Sequence, residues 1–168
     1  MSTLLSSEDF LEDSPLDTVE RVAGAADLPF ERFDDEELLA AHYTGPWCAY
    51  EMWFAYSSDI DALEFRCGFD MKVPGERFTE VCGLLALINE KLWLGHFDLR
   101  QDELRPTWRH TFIFRGAPRP AEAQIEDMLG IALQECNRFY PAFQHVIWAG
   151  KSPREALESA LFETAGEA

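Results

Sequence analysis

The sequence predicts an α+β domain, an antiparallel sheet of about five strands with helices packed against it, and three observations carry that expectation. The hydrophobic period is helical at the start, becomes two between Leu28 and Val73, and is helical again from Pro74. The period-two stretch is divided by turn signals at Asp34-Asp35 and Gly45-Pro46, which leave no room for crossover helices, so its strands should run antiparallel. The chain has 168 residues, 47% hydrophobic and 13% aromatic. A single domain of that length buries about 70% of its unfolded surface and needs no staples.

Each element follows from local chemistry. Residues 1–13 hold Glu8, Asp9, Glu12 and Asp13 without a base and are expected to form a loose acidic arm. Ser14-Pro15-Leu16-Asp17 starts a helix: a hydroxyl to cap a free N–H, a proline at the first turn, and an acid at the positive helix end. Leu16, Val19, Val22 and Ala23 form its stripe, which should end near Asp27. Strands are expected over Pro29–Phe33, Leu38–Tyr43 and Trp47–Tyr56. The clearest alternation in the chain sets Leu63, Phe65, Cys67, Phe69 and Met71 against Glu64, Arg66, Gly68, Asp70 and Lys72.

Pro74-Gly75-Glu76 opens a second helix, striped by Phe78, Val81, Cys82, Leu85, Ile88 and Leu92 and ended by Gly95. Leu84 and Leu87 widen its stripe, so it should be covered on two sides. Two strands follow, His96–Asp102 and Thr107–Arg115. Pro118 and Pro120 then precede a third helix carrying Ile125, Met128, Leu129, Ala132, Cys136 and Phe139. Pro141 is expected to interrupt it. Beyond lies a helical arm, 141–162, in which Gly150 stops one helix and Ser152-Pro153-Arg154-Glu155 caps the next; 163–168 form an acidic tail. Residues 14–162 make one domain, with no repeat and no dividing linker.

Charge narrows the function. With 31 acidic and 14 basic residues the formal net charge is −17. Nucleic-acid and anionic-membrane binding both draw on Lys and Arg, so neither is an expected partner. Met1 to Leu5 has no basic flank, acids follow at once, and no apolar run reaches the roughly 20 residues of a membrane span, so a cytoplasmic chain with reduced thiols is expected.

Catalytic patterns do not emerge. His42, His96, His110 and His145 stand apart from one another and from the cysteines at positions 48, 67, 82 and 136, so no metal or cofactor is expected. Gly150-Lys151-Ser152 resembles the end of a phosphate loop, but His145 occupies the leading-glycine position. No nucleophile, base and orienting group can be assembled from neighbouring motifs, so no catalytic residue is nominated.

Two surfaces stand out. Arg100, Arg105, Arg109, Arg115 and Arg119 fall within 20 residues, with Arg109 and Arg115 on one strand face and Trp108, His110, Phe112 and Phe114 on the other. These arginines either pair with local acids or form a guanidinium patch for an acidic partner. The arm is also apolar for a terminal extension, and Phe143 and Trp148 mark it as either core or interface. Candidate partner-binding residues are therefore Arg105, Arg109, Phe143 and Trp148. The alternative is a small-ligand pocket near Trp47, Trp53 or Trp93 with arginine as counter-charge.

Three stretches resemble the YbjN-domain family: Leu5-Ser6-Ser7-Glu8-Asp9, the run Asn89-Glu90-Lys91-Leu92-Trp93-Leu94-Gly95-His96-Phe97, and Tyr140-Pro141-Ala142-Phe143 through Trp148-Ala149-Gly150-Lys151-Ser152. The resemblance implies a bacterial sensory-transduction regulator. It also implies a fold like that of type III secretion chaperones, in the order helix, three strands, helix, two strands, helix. By analogy with those chaperones it implies a homodimer and a polypeptide partner. It carries no catalytic residues. The expected function is a non-enzymatic regulatory or chaperone-like adaptor that binds another protein.

Overall fold

In a computed structural model, which describes residues 14–116 and 119–166, the chain is a six-stranded antiparallel sheet with helices on one face. The elements are α1 (Pro15–Ala25), β1 (Phe30–Phe33), β2 (Leu38–Thr44), β3 (Ala49–Ser57), β4 (Ala62–Gly68), α2 (Phe78–Asn89), β5 (His96–Leu99), β6 (Pro106–Ile113), α3 (Glu122–Ile147) and α4 (Pro153–Ala165). The strands lie in the order β1-β2-β3-β4-β6-β5. The first four form a meander, and the β5–β6 hairpin returns through α2 to add itself beside β4. The expected α+β class holds, and the short strand expected at Pro29–Phe33 forms over Phe30–Phe33, pairs with Leu38–Ala41 as an edge strand and brings the count to six. The proposed acidic arm, the Leu5–Asp9 stretch and Pro118 lie outside the described residues.

Alternation places the core. Leu39, Ala41, Tyr50, Met52, Phe54, Leu63, Phe65, Cys67 and Trp108 all point to the helical side and are buried. α1 rests on β2 and β3, α3 crosses β4 and β6, and α2 packs beside β5. The caps form as their sequences require. The Ser14 hydroxyl accepts from the Leu16 N–H at 3.3 Å while Asp17 accepts from the Ser14 N–H at 2.7 Å. Ser152 and Glu155 repeat the arrangement at α4.

Three expectations need correction. Pro141 does not break α3, which is continuous for 26 residues. Its missing N–H removes one backbone bond, but Phe139, Tyr140, Ala142, Phe143 and Val146 on either side are all core residues, and their burial outweighs that loss. The strand expected to reach Met71 ends at Gly68. Phe69, Met71 and Val73 stay buried, but beyond Gly68 the ladder gives way to single bonds, Phe69 N–H donating to Pro106 O at the start of β6 and Val73 N–H to Leu104 O in the turn before it. The buried line of α2 runs through Val81, Leu84 and Ile88, rotated from the expected stripe.

The second cover expected over α2 is α4. Pro153 comes so close to Gly83 that a Cβ there would meet its Cγ at 3.3 Å. Ala156, Leu157 and Ala160 are buried against α2 and α3, so the inner side of the C-terminal arm is core.

Candidate functional site

Among the described residues no helix covers the second face of the sheet. Register places its side chains in three rows. Leu38, Ala55, Glu64 and Thr111 form one, Ala40, Trp53, Arg66, Arg109 and His96 the next, and His42, Glu51, Gly68, Thr107 and Asp98 the third. The sequence alternation therefore sends core residues to the helices and an ordered set of charges to the opposite side.

These charges are already joined. Arg109 donates to Glu64 at 2.5 Å and to Asp98 at 3.1 Å. Arg66 also bonds Glu64, so one carboxylate bridges two strands and two guanidinia. Arg105 reaches back across the sheet to Glu51 at 2.5 Å. Its position depends on the β5–β6 turn, in which Leu104 adopts φ +53°, a left-handed conformation uncommon for a leucine. Two hydrogen bonds hold that turn: Leu104 N–H to Arg100 O and Val73 N–H to Leu104 O, both 2.7 Å. Each of these ionic side chains is roughly one-fifth to two-fifths exposed, so the network is neither dry nor freely solvated.

The network surrounds a cleft of about 670 Å³ with Trp53, Leu38 and Ala55 among its lining residues. Gly68 makes room for it, since a Cβ there would lie 3.2 Å from the Trp53 ring and 3.4 Å from Arg105 Cδ. Glu51, Glu64, Asp98, Asp102 and Glu103 face Arg66, Lys72, Arg100, Arg105 and Arg109 around the cleft. The cleft is thus locally neutral in a chain of net charge −17.

Three of the nominated residues meet here: Arg105, Arg109 and Trp53. The others do not join them. Trp47 stacks on Tyr140 at a ring distance of 6.5 Å and lines a separate open hollow with Asn137 and Arg138. Trp93 is fully exposed on the loop after α2. The three tryptophans therefore form no common pocket, because strand register and loop position separate them. Trp148 is exposed at the end of α3. Phe143 is completely buried, 5.3 Å from the Phe69 ring and 5.7 Å from Phe97, so it serves the core and offers nothing to a partner.

Arg115 falls beyond the end of β6, and Arg119 is tied to Asp61 on the far side of the β3–β4 turn, so the run of arginines is not one patch. Glu51, Glu64, Arg66 and Asp98 were absent from the sequence nominations. The signal for them was the polar half of the alternation, Glu51-x-Trp53 and Glu64-x-Arg66. No group of three or more His, Cys, Asp or Glu among the described residues is placed to hold a metal ion.

The residues Asn89 to Phe97 turn out to be scaffold. Asn89 Oδ1 accepts from the Phe97 N–H at 2.8 Å and its Nδ2 donates to Phe97 O at 3.0 Å, locking the end of α2 to β5. Gly95 has φ +66°, and a Cβ there would strike the Trp108 indole at 2.2 Å.

Fold and face together define a class: an antiparallel α+β domain, helices on one side and a salt-linked open sheet on the other. The family model described as "Putative bacterial sensory transduction regulator" matches residues 15–145. The chain belongs to that family, the YbjN family. Among solved structures it is similar to "Crystal structure of YbjN, a putative transcription regulator from E. coli" at 12% identity and TM-score 0.51, over 71% of this chain and 84% of that one. At that identity the likeness is one of fold. No curated protein matches. α4 lies beyond the matched residues, and no helix among the described residues is long and apolar enough to cross a membrane.

Proposed function

We propose that the chain is a non-enzymatic regulatory adaptor whose open sheet face binds another polypeptide. The observation that carries this is the state of the arginines on that face. Arg66, Arg105 and Arg109 are each already paired with Glu51, Glu64 or Asp98. A small anion would have to displace a tethered carboxylate, whereas a protein surface bringing both signs can exchange partners pair for pair while covering Trp53.

The sheet edges offer less. Arg32 on edge strand β1 turns inward to Asp17 at 2.5 Å and Glu20 at 3.0 Å, a charge placement that discourages strand addition. The charge balance argues against nucleic acid.

A photocrosslinking residue in place of Thr111, exposed on β6, should capture a distinct protein in cells, while the same probe at Glu126 on the exposed side of α3 should not. Crosslinks arising only from α3 would remove the sheet-face assignment.

A second function is favoured by one observation, the cleft volume of about 670 Å³ beside Trp53, which lies in the range of small-molecule sites. A ligand-sensing domain would then change Trp53 emission on binding. A metabolite panel that shifts the fluorescence of the wild type but not of Trp53→Phe would favour the sensor over the adaptor.

A further inference from the structure

We infer that the free half of β6 is a strand-acceptor edge, which takes an extended, neutral or basic segment of another polypeptide as an added strand. The inference goes beyond the adaptor proposal, which concerns the face of the sheet and not this edge, and does not require it. It starts from a difference in length. β6 runs for eight residues and β5 for four, and β5 pairs only with Pro106–Arg109. On its other side β6 is paired with β4 as far as Ile113. The stretch His110–Ile113 therefore has a neighbouring strand on one side alone.

The hydrogen-bond pattern identifies the groups left over. In an antiparallel pair, alternate residues turn both N–H and C=O to the same neighbour. Phe69 N–H donates to Pro106 O and Phe114 N–H to Asp61 O, one at each end of the β4–β6 ladder. Trp108, His110 and Phe112 thus face β4, while Thr107, Arg109, Thr111 and Ile113 face the other way. Thr107 and Arg109 meet Asp98 and His96 of β5. Thr111 and Ile113 come where β5 is missing, and among the described residues nothing takes up their backbone N–H or C=O groups. Both residues are exposed, so these groups are open to approach.

Nothing guards this edge. Edge strands are normally shielded by an inward charge, a proline, a bulge or extreme shortness. Arg32 guards β1 in the first way, and β5 is protected by its four-residue length. His110-Thr111-Phe112-Ile113 holds no proline, carboxylate, lysine or arginine. Two large apolar side chains flank it. Ile113 is 74% exposed, and Trp93 is fully exposed on the loop whose Gly95 would set a Cβ 2.9 Å from Arg109 O. The backbone groups supply affinity for a strand, and these side chains supply contacts for its alternate residues. Charge selects the occupant. A second copy would bring another −17 to the contact, and residues 1–13 carry four acids and no base. What fits is a foreign segment, extended, apolar at alternate positions and without acidic flanks. The cleft stays free, since none of His110–Ile113 lines it.

The test titrates a blocked peptide of alternating valine and threonine, with a lysine at each end, into the isotope-labelled full chain. Amide shifts should move first at Thr111 and Ile113, with a dissociation constant of roughly 0.1–5 mM for so few bonds. Hydrogen exchange at those two amides should slow at least about tenfold at saturation. The same peptide ended by glutamates should bind at least about threefold more weakly. Thr111→Pro removes an N–H that β4 does not use, so it should abolish binding while circular dichroism is unchanged. Should that variant not fold, a peptide methylated on every backbone nitrogen makes the same cut from the other side and should not bind wild type. No shift at either amide up to about 10 mM peptide would overturn the inference. So would binding that survives peptide methylation or a folded Thr111→Pro variant, or shifts centred on Trp53 and Arg66 instead. Equal affinity for the glutamate peptide would overturn the choice of occupant. A protein captured through the Thr111 side chain, with no peptide bound at the edge, would leave the adaptor proposal standing and remove this one.

Discussion

Substituting Gly95 by alanine separates scaffold from function in the stretch that carries most of the family resemblance. Gly95 sits at φ +66°, and holding a residue with a Cβ in the left-handed region costs about 1–2 kcal/mol. The added methyl would also lie 2.2 and 2.5 Å from two atoms of the Trp108 ring and 2.9 Å from Arg109 O. Trp108 is completely buried and has nowhere to retreat, so relieving the clash adds about 1–3 kcal/mol of overpacking. The expected loss is about 2–5 kcal/mol, a large share of the 5–15 kcal/mol typical of a domain. Asn89→Ala should cost about 1–3 kcal/mol by orphaning the N–H and C=O of the buried Phe97. Trp93→Ala removes a fully exposed side chain and should stay within about 0.5 kcal/mol of wild type. Urea unfolding followed by far-UV circular dichroism measures all three without depending on tryptophan emission. A Gly95→Ala variant as stable as wild type would refute the close-packing account. A Trp93→Ala loss above about 2 kcal/mol would show that Trp93 is packed after all.

Three further outcomes follow from packing and titration. Truncation after Gly150 removes α4 and uncovers what Ala156, Leu157 and Ala160 bury, so about 3–5 kcal/mol should be lost; unaltered stability would make α4 an appendage. Burial, with a smaller contribution from nearby His96, holds the His110 imidazole below its ordinary range. The folded state therefore binds fewer protons there than the unfolded chain, so stability from this group is present above about pH 6.5 and lost as pH falls below it. Melting temperature should drop between pH 7 and 5.5 in wild type and less so in His110→Gln; equal drops in both would refute the assignment. Of the four thiols, Cys82 alone is partly exposed, and burial pushes Cys48 up to about 11. A native-state thiol titration should release one fast equivalent, and three or four fast equivalents would contradict the buried placement of the rest.

The fold was legible wherever a single period governed a segment. Leu16, Val19, Val22 and Ala23 announced α1, and the Leu63–Cys67 alternation announced β4, because burial on one side is the whole physical requirement for either element. Pro141 was misread because a local rule was allowed to decide. Its cost is one hydrogen bond and some steric strain. What opposes that cost is the burial of Phe139, Phe143 and Val146 against residues as distant as Phe69 and Phe97, and that cannot be weighed before the sheet exists. The end of β4 failed in a related way. Phe69, Met71 and Val73 alternate as a strand should, but the carbonyls that accept from Phe69 and Val73 belong to Pro106, at the very start of β6, and to Leu104 in the turn before it.

The site was half legible for a reason that bears on its use. Arginines stand out in a chain with few of them, so Arg105 and Arg109 could be nominated from sequence. Their acids could not, because 31 carboxylates offer too many candidates and only the register β3-β4-β6-β5 selects Glu51, Glu64 and Asp98. That selection changes what the arginines can do. Unpaired, the arginines of the open face would draw any anion to an otherwise acidic surface. Paired across strands, Arg105 and Arg109 are held in fixed positions and matched charge for charge, which lowers affinity for a lone anion and, under the adaptor proposal, raises selectivity for a surface carrying the complementary pattern. Under the adaptor proposal, a protein whose body repels most of its neighbours and whose neutral patch accepts a matched face would be selective by exclusion. Widening the neutral patch, for instance by Glu31→Lys one strand beyond it, should therefore relax partner choice before it alters affinity for the proper partner.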